Sequence, residues 1–288
     1  MMKIRKVVIP AAGWGTRFLP ATKALPKEML PLADKPLIQY IVEEAILSGM
    51  EQIIIVTSSG KSAIQDHFDR DFELEYILEQ KGERGLLEEV RRIADLANIC
   101  YIRQKEQLGL GHAILTAEEF IGREPFAVFL PDDIFDAEVP LLKQMGEVYQ
   151  RYQGSVLAVR RVAKEETKRY GIIKPKQIEE RLYQVLDVVE KPEEAPSDLA
   201  ILGRYILTPE IFEALKTTPP GWGGEIQLSD GLALMLQKQA VYGYEFEGEY
   251  YDAGNPLGLL KATVALALSH PQIGADFKEY LRGLSTDL

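Results

Sequence analysis

The chain has 288 residues, of which 46% are hydrophobic and 27% are charged, so it is long enough and apolar enough to bury a sizeable core. The formal net charge of −11 argues against a nucleic-acid partner, because binding to a phosphate backbone needs concentrated positive charge. Residues 1–35 nevertheless carry +5, which leaves −16 for the remainder. One basic region in an acidic protein suits a small phosphorylated ligand.

The sequence offers no sign of a membrane segment or of a structural disulfide. No apolar stretch approaches the roughly 20 residues of a membrane helix, and no basic and apolar leader opens the chain, so a cytoplasmic location is expected. The single cysteine, Cys100, excludes an internal disulfide and a cysteine metal cluster. It lies in the apolar run 99–102, which predicts a buried strand residue rather than a nucleophile.

The first notable segment is a glycine-rich loop that follows the apolar run 7–9, a predicted buried strand. Its backbone from Ala11 and Ala12 to Gly13 and Gly15 is expected to bring N–H groups around phosphate oxygens. Three cations follow within a short distance, at positions 17, 23 and 27. Such cations beside a nest of amides are suited to holding a triphosphate.

Two common nucleotide loops do not fit this segment. A Rossmann fingerprint needs a third glycine that opens a helix, whereas Thr16, Arg17 and Phe18 follow here and Pro20 interrupts any helix. The phosphate loop of common NTPases needs glycine, lysine and then serine or threonine, which this sequence lacks. Without further motifs, an ordinary strand-to-loop turn with surface cations remains an alternative.

A longer match extends the motif. The segments A-A-G-W-G-T-R, P-A-T-K, P-K-E-M-L-P and D-K-P-L-I-Q-Y follow one another between residues 11 and 40 and resemble the signature of the sugar-nucleotide pyrophosphorylases. In that family a sugar 1-phosphate attacks the α-phosphorus of a nucleoside triphosphate. The resemblance covers nearly the whole chain and is strongest to the uridylyltransferase branch. It implies UTP and glucose 1-phosphate as substrates, and UDP-glucose and pyrophosphate as products.

The predicted elements in the first half alternate between strand and helix, as in an α/β domain with a parallel sheet. The strands are expected at 52–56, 98–103 and 126–130, and the helices at 37–48, near 61–68, at 112–120 and at 140–153. Residues 71–97 form a charged insertion, predicted as two helices broken at Gly82 and Gly85. The insertion resembles the uridylyltransferases and is much shorter in thymidylyltransferases.

The segment after the strand at 98–103 is the candidate base pocket. Gln104 lies at the carboxyl end of a strand, where open α/β sheets bind ligands, and its amide could accept from uracil N3–H and donate to O4. The family resemblance places base recognition at Gln104 and Gly109 and adds Glu28 from the first loop. Gln107 and His112 are assigned structural roles, with His112 opening a helix.

Two carboxylates follow the fourth strand and form the candidate metal site. Asp132 and Asp133 provide hard oxygen ligands of the kind that Mg²⁺ prefers, although a polar strand terminus is an equal alternative. The resemblance assigns Asp132 as a metal ligand and Asp252, about 120 residues later, as the second. Only the folded chain can bring these two residues together.

The second half is expected to bind the sugar phosphate. Strands near 155–162, 170–174, 182–189 and 200–207 have few helices between them, which predicts antiparallel additions to the sheet. Lys191 offers a cation for the phosphate and Glu190 offers acceptors for sugar hydroxyls. The resemblance implies that Gly171, Glu190, Lys191 and Gly203 bind the sugar phosphate, and that Arg17, Lys27, Asp132 and Lys191 are catalytic.

The predicted fold class is therefore α/β, with a Rossmann-like mixed and mainly parallel sheet flanked by helices, a small antiparallel sugar-binding portion and C-terminal helices. Residues 1–255 are predicted as one nucleotidyltransferase domain, with a nucleotide half at about 1–140 and a sugar-phosphate half at about 155–255. Residues 256–288 are predicted as a helical tail. The apolar stripe of this tail is core or a subunit interface, and a homo-oligomer, a dimer or tetramer, is expected.

Three other functions are weighed against this one. A thymidylyltransferase would share the mechanism, but the insertion at 71–97 argues against it. A sugar-nucleotide-sensing module without catalysis could lose Lys27, Asp132 or Lys191, and all three are present. An NAD-dependent oxidoreductase is disfavoured by the missing third glycine.

Overall fold

The fold is known from a computed structural model of the chain, which describes residues 3–284. In this range the strands are β1 Lys6–Pro10, β2 Pro31–Leu32, β3 Lys35–Pro36, β4 Gln52–Thr57, β5 Ile99–Arg103, β6 Phe126–Phe129, β7 Asp133–Asp136, β8 Ser155–Arg161, β9 Gly171–Glu179, β10 Leu182–Glu190, β11 Leu199–Leu207, β12 Val241–Glu245 and β13 Glu249–Asp252.

The helices are α1 Leu37–Leu47, α2 Ser62–Phe68, α3 Phe72–Lys81, α4 Arg84–Ala94, α5 Leu110–Leu115, α6 Glu118–Ile121, α7 Leu141–Tyr152, α8 Glu210–Thr217, α9 Leu228–Met235, α10 Pro256–Ser269 and α11 Gly274–Leu284. Short 3-10 helices lie at Thr16–Phe18, Ala21–Lys23, Lys27–Met29, Lys164–Arg169 and Trp222–Gly224. No helix within residues 3–284 is long and apolar enough to cross a membrane.

Nine strands form the central sheet, in the order β5-β4-β1-β6-β11-β8-β12-β10-β9. The first four are parallel to one another, while β11 runs antiparallel to both β6 and β8. The carboxyl ends of the parallel strands therefore meet at one edge, and the loops that leave them carry the glycine-rich segment, Gln104 and Asp132. The predicted mixed α/β fold is confirmed.

The core lies on both faces of this sheet, because successive side chains of a strand point to opposite sides. Along β1, Val7 and Ile9 belong to one buried cluster and Val8 belongs to the other, all three with 0% exposure. Helix α1 packs its buried residues on the first of these clusters. The strand that leads into the glycine loop is thus fixed from both sides.

A second, two-stranded sheet positions the acidic residues. Strand β13 pairs antiparallel with β7, with Asp252 opposite Asp133, and the Ala253 amide donates to the Asp132 carbonyl at 2.8 Å. Strand β7 was not expected from the sequence, because Asp132 and Asp133 interrupt its apolar pattern. This pairing joins the two predicted metal ligands across the chain.

Two details of the predicted helices are wrong. The insertion breaks only at Gly82, whose φ of +72° ends α3, whereas Gly85 has an ordinary backbone conformation and lies inside α4. The helix predicted at 112–120 is two short helices, and His112 is the third residue of α5 rather than its start. The division into a domain at 1–255 and a tail at 256–288 stays a prediction, and residues 1–2 and 285–288 lie outside the described residues.

Candidate active site

A cavity of about 940 Å³ opens at the carboxyl edge of the parallel strands. It extends from the glycine loop to the ends of β9–β11 and to the segment around Trp222. The predicted site residues that line it are Ala12, Gly13, Gly15, Arg17, Lys27, Gln104, Gly109, Asp132, Gly171, Glu190, Lys191, Gly203 and Asp252. The fold therefore collects residues from across about 240 positions of sequence in one place.

The glycine loop presents backbone donors to this cavity. Gly15 has φ +67°, and a Cβ there would lie 3.1 Å from the Lys27 Cβ, so a side chain would crowd the lysine. Within residues 3–284, the amides of Ala12 and Gly13 have no intramolecular acceptor. Two unpaired N–H groups at the cavity wall are suited to an anionic ligand.

Ala11 does not share this role, contrary to the prediction. Its amide donates to Val56 O at 2.7 Å and so continues the hydrogen bonding between β1 and β4. The residue is fully buried and does not line the cavity. The available nest of amides therefore begins at Ala12.

Glu28 also lies behind the loop rather than in the cavity wall. Its side chain is fully buried and accepts from Lys61 Nζ at 2.8 Å, while the same ammonium donates to Ala11 O at 2.6 Å. Lys61 thus joins the glycine loop to the segment that carries Lys27. The sequence did not single out Lys61, because it lies between serines in a loop after β4.

Lys27 and Asp132 form an ion pair at the centre of the cavity, with Nζ 2.5 Å from Oδ2. Burial alone would lower the pKa of Lys27, but the charge of Asp132 raises it above the ordinary value. Burial alone would likewise raise the pKa of Asp132, yet Lys27 lowers it. Both groups are therefore charged at neutral pH, whereas Lys23 is exposed and lies outside the cavity wall.

Asp252, the last residue of β13, lies close to Asp132. A Cβ placed on Gly254 would be 2.9 Å from Asp132 Oδ2 and 3.0 Å from Asp252 Oδ1, so these two oxygens converge. Arg169 donates to Asp252 at 2.6 Å, and Arg17 reaches Gly254 O at 3.4 Å. Arg169 is the last residue of the charged 3-10 helix Lys164–Arg169, a run that carries no recognisable motif.

The two converging carboxylates fit a small divalent cation. Mg²⁺ is held by few protein oxygens, and phosphates and water complete its shell. Within the described range 3–284, no cluster of three or more His, Cys, Asp or Glu side chains is arranged for a metal. The donor set thus suits a cation that arrives with a phosphorylated substrate.

A buried arginine stabilises the turn that carries Asp132. Arg204 has 0% exposure and donates to the carbonyls of Leu130 at 3.1 Å and Asp133 at 2.9 Å. Its Nε also donates to Glu44 at 2.9 Å. The guanidinium therefore fixes the backbone on both sides of Asp132.

Asp133 lines the same cavity, but its carboxyl is held by contacts of its own. Its Oδ1 accepts from the Tyr250 hydroxyl, and a Cβ on Gly203 would overlap its Oδ2. Burial and the charge of Asp132 raise the pKa of Asp133 to about 7. Gly203 thus leaves the space that this carboxyl occupies.

Gly203→Ala is expected to lower the free energy of unfolding by about 1–3 kcal/mol, because the added methyl group displaces a carboxyl that Tyr250 fixes. Turnover should also fall, because the displaced residue, Asp133, directly follows Asp132 in the chain. Urea denaturation and a pyrophosphate-release assay measure the two effects.

Gly146→Ala is the matched control, because Gly146 lies inside α7 and a Cβ there would meet no atom within 4 Å. Alanine is the better helix former, so this variant should gain up to about 1 kcal/mol with unchanged turnover. Equal stability of the wild type and Gly203→Ala would contradict the packing at Asp133.

The base side of the cavity is closely packed around Gly109. Its φ is +102°, and a Cβ there would be 2.6 Å from the Glu225 Cβ. Ile226 binds the same segment through its amide, which donates to Leu108 O at 2.7 Å. Gln104 is 4% exposed and lies at the floor of this pocket. Gln107 also lines the cavity, and its Nε2 reaches Ala12 O at 3.5 Å.

On the opposite side, Glu190 and Lys191 lie beside Gly171 and Trp222. Lys191 Nζ is 3.5 Å from Glu190 Oε1 and 3.6 Å from the centroid of the Trp222 ring. Glu190 Oε2 accepts from the Ser229 hydroxyl at 2.8 Å, and a Cβ on Gly171 would be 3.2 Å from the same oxygen. The aromatic ring covers the ammonium, a cation–π contact.

Comparison with known proteins identifies the family. Residues 6–268 match the protein family described as Nucleotidyl transferase. A UTP–glucose-1-phosphate uridylyltransferase of Staphylococcus epidermidis is 56% identical over 286 residues, which are 99% of this chain and 99% of that protein.

Two solved structures have the same fold. A UDP-glucose pyrophosphorylase complexed with UDP-glucose has a TM-score of 0.85 and 46% identity, covering 93% of this chain and 100% of that one. The UTP-bound UGPase from Acinetobacter baumannii has a TM-score of 0.90 and 41% identity, covering 97% and 99%.

The mixed sheet and the cavity at its carboxyl edge are therefore those of a nucleotidyltransferase enzyme. The chain belongs to the nucleotidyl transferase family and, within it, to the group of the UTP–glucose-1-phosphate uridylyltransferases. The resemblance inferred from the sequence is confirmed.

Proposed function

We propose that the chain transfers a uridylyl group from UTP to glucose 1-phosphate and releases UDP-glucose and pyrophosphate. One observation carries this proposal: the Lys27–Asp132 pair and Asp252 lie in a single cavity between the glycine loop and the Glu190–Lys191 pair. A nucleotide bound on the first side and a sugar phosphate bound on the second would meet at Asp132 and Asp252. The names of the relatives agree with this pair of substrates.

On the nucleotide side, the amides of Ala12, Gly13 and Gly15 and the guanidinium of Arg17 hold the triphosphate. Lys27 stabilises the charge that develops on the α-phosphate. Gln104 and the backbone of Gly109 bind the base. Glu28 contributes from behind the loop, through Lys61, rather than by contact with the base.

On the sugar side, Lys191 binds the phosphate of glucose 1-phosphate and Glu190 accepts from sugar hydroxyls. Gly171 and Gly203 line this side of the cavity, and their missing side chains leave room for the carboxyls of Glu190 and Asp133. The Trp222 ring that covers Lys191 in the structure would have to yield part of this position to the phosphate.

Asp132 and Asp252 would hold Mg²⁺, which would neutralise phosphate charge when bound. A phosphate oxygen of glucose 1-phosphate forms a bond to the α-phosphorus of UTP. The bond from that phosphorus to the bridging oxygen breaks in line, and pyrophosphate leaves with the electron pair. The nucleophile is already ionised at neutral pH, so the side chains orient and stabilise charge and no covalent protein intermediate is needed.

The test is pyrophosphate release with Mg²⁺ and a matrix of UTP, dTTP, ATP and GTP against glucose, galactose and N-acetylglucosamine 1-phosphates. We expect release with UTP and glucose 1-phosphate. A preference for dTTP would keep the mechanism and identify a thymidylyltransferase instead. Silence across the matrix from folded protein would support a sensing module without catalysis.

The remaining expectations from the sequence stay predictions. They are a homo-oligomer, either a dimer or a tetramer, and a cytoplasmic location. The predicted stripe comprises Leu259, Leu260, Thr263, Val264, Leu266 and Ala267 on α10. Leu260 is 62% exposed and Val264 is 37% exposed, which agrees with a subunit interface, while Leu259 and Leu266 pack on the core. The stripe that the sequence left open between core and interface is therefore divided between two faces.

A further inference from the structure

The side-chain amide of Gln104 is held in one orientation by two neighbours. Its Nε2 is 3.2 Å from Gly109 O and 2.9 Å from His112 Nδ1. Gln104 is 4% exposed and lines the cavity, whereas His112 lies behind it and does not. The histidine is therefore placed to act on the cavity through the glutamine.

The chemistry of the two partners decides which end of the amide faces them. A backbone carbonyl oxygen only accepts, so the group opposite Gly109 O is the NH₂. The second hydrogen of that NH₂ then points at His112 Nδ1, which must accept it. His112 is consequently neutral, with its own proton on Nε2. The reversed amide would bring two oxygens together at Gly109.

Gly109 cannot move to suit a reversed amide. Its φ of +102° and the close approach of Glu225 and Ile226 fix its peptide, and the Ala113 amide donates to its carbonyl at 3.1 Å. The acceptor that faces Gln104 is thus part of the packed wall. His112 is the partner that a single substitution can remove.

This orientation leaves one atom of the amide for a ligand. Both hydrogens of Nε2 are used within the protein, and within residues 3–284 no donor reaches Gln104 Oε1. Gln104 therefore offers the base an acceptor and no donor. The expectation that the same amide also donates to O4 of the base does not agree with this geometry.

We propose that His112 is a specificity-determining positioning residue, which selects bases that carry an imide N–H by holding the Oε1 of Gln104 towards the base. Uracil and thymine donate from N3–H to that oxygen. Cytosine presents a lone pair at N3, so two acceptors would face each other in a desolvated pocket. The inference rests on the proposed function, since it assumes that the base of a nucleoside triphosphate lies over Gln104.

The experiment compares two variants of nearly equal size. His112→Asn keeps an acceptor close to the position of Nδ1, while His112→Leu removes it. We measure kcat/KM for UTP and for CTP with glucose 1-phosphate. The wild type should prefer UTP by about 10²-fold or more, because a site built around a hydrogen bond rejects a base that cannot make it.

His112→Leu should lower this UTP-to-CTP ratio by about tenfold or more, because a reversed amide no longer opposes an acceptor at position 112. His112→Asn should restore most of the ratio. A general structural defect would lower both rates together and leave the ratio unchanged, and that result, or loss of the ratio in His112→Asn, overturns the proposal.

A measurement on the wild type covers the case in which His112→Leu does not fold. The chain has three histidines, so long-range ¹H–¹⁵N spectra can assign the tautomer of each ring. We expect Nδ1 of His112 without a proton and Nε2 with one, and a proton on Nδ1 would overturn the proposal. If the proposed function itself were wrong, the wild type would turn over neither UTP nor CTP. That result is distinct from an unchanged UTP-to-CTP ratio in the His112 variants.

Discussion

Asp132→Asn is expected to lower kcat by about 10³-fold, which corresponds to about 4 kcal/mol of lost transition-state stabilisation. The asparagine oxygen is uncharged, so it binds a divalent cation weakly and no longer balances Lys27 at 2.5 Å. Asp252→Asn should have an effect of similar size, because Asp132 Oδ2 and Asp252 Oδ1 converge on the same point. Pyrophosphate release measured against Mg²⁺ concentration tests both variants.

Asp136→Asn is the matched control for these two variants. Asp136 lies on the same strand, β7, but is exposed and outside the cavity wall. Its turnover should stay within about twofold of the wild type, as expected of a surface substitution. If Asp132→Asn kept more than a tenth of the wild-type kcat at saturating Mg²⁺, Asp132 would not be a ligand that the reaction needs.

Lys27→Met is expected to lower kcat by about 10²-fold to 10³-fold, the range observed when one preorganised donor to a developing charge is lost. Methionine keeps most of the length of the side chain and removes the ammonium that faces Asp132. Binding of UTP should weaken less than kcat falls, because the amides of the glycine loop and Arg17 remain. Single-turnover kinetics together with a direct binding titration separate the two quantities.

Two further substitutions define the role of this lysine. Lys23→Met removes a cation from the same segment that is exposed and outside the cavity, so its kinetics should match the wild type. Lys27→Arg should not restore the rate, because the ammonium lies 2.5 Å from Asp132 Oδ2 on a side chain that is only 19% exposed, and a planar guanidinium needs more room. Wild-type turnover by Lys27→Met would show that another cation stabilises the α-phosphate.

The parts of the fold that the sequence predicted well are those that local pattern controls. The apolar runs at β1, β4 and β6 are buried strands, and the 3.6-residue spacing of α1 gives the helix that covers them. The short-range rules were less reliable where two signals compete. Gly82 and Gly85 were both predicted to break the helix because of their residue type, but of the two only Gly82 adopts the left-handed conformation that ends a helix.

The sequence by itself determined the chemistry of the cavity: a glycine loop with Arg17 and Lys27, and carboxylates at the ends of strands. These follow from residue type and near spacing, which the chain carries locally. The tertiary structure decided the rest. The pairing of β7 with β13 joins Asp132 to Asp252, Lys61 supports the glycine loop through Ala11, and His112 sets the amide of Gln104. Each depends on contacts set by register and packing, and such contacts leave no periodic trace in the sequence.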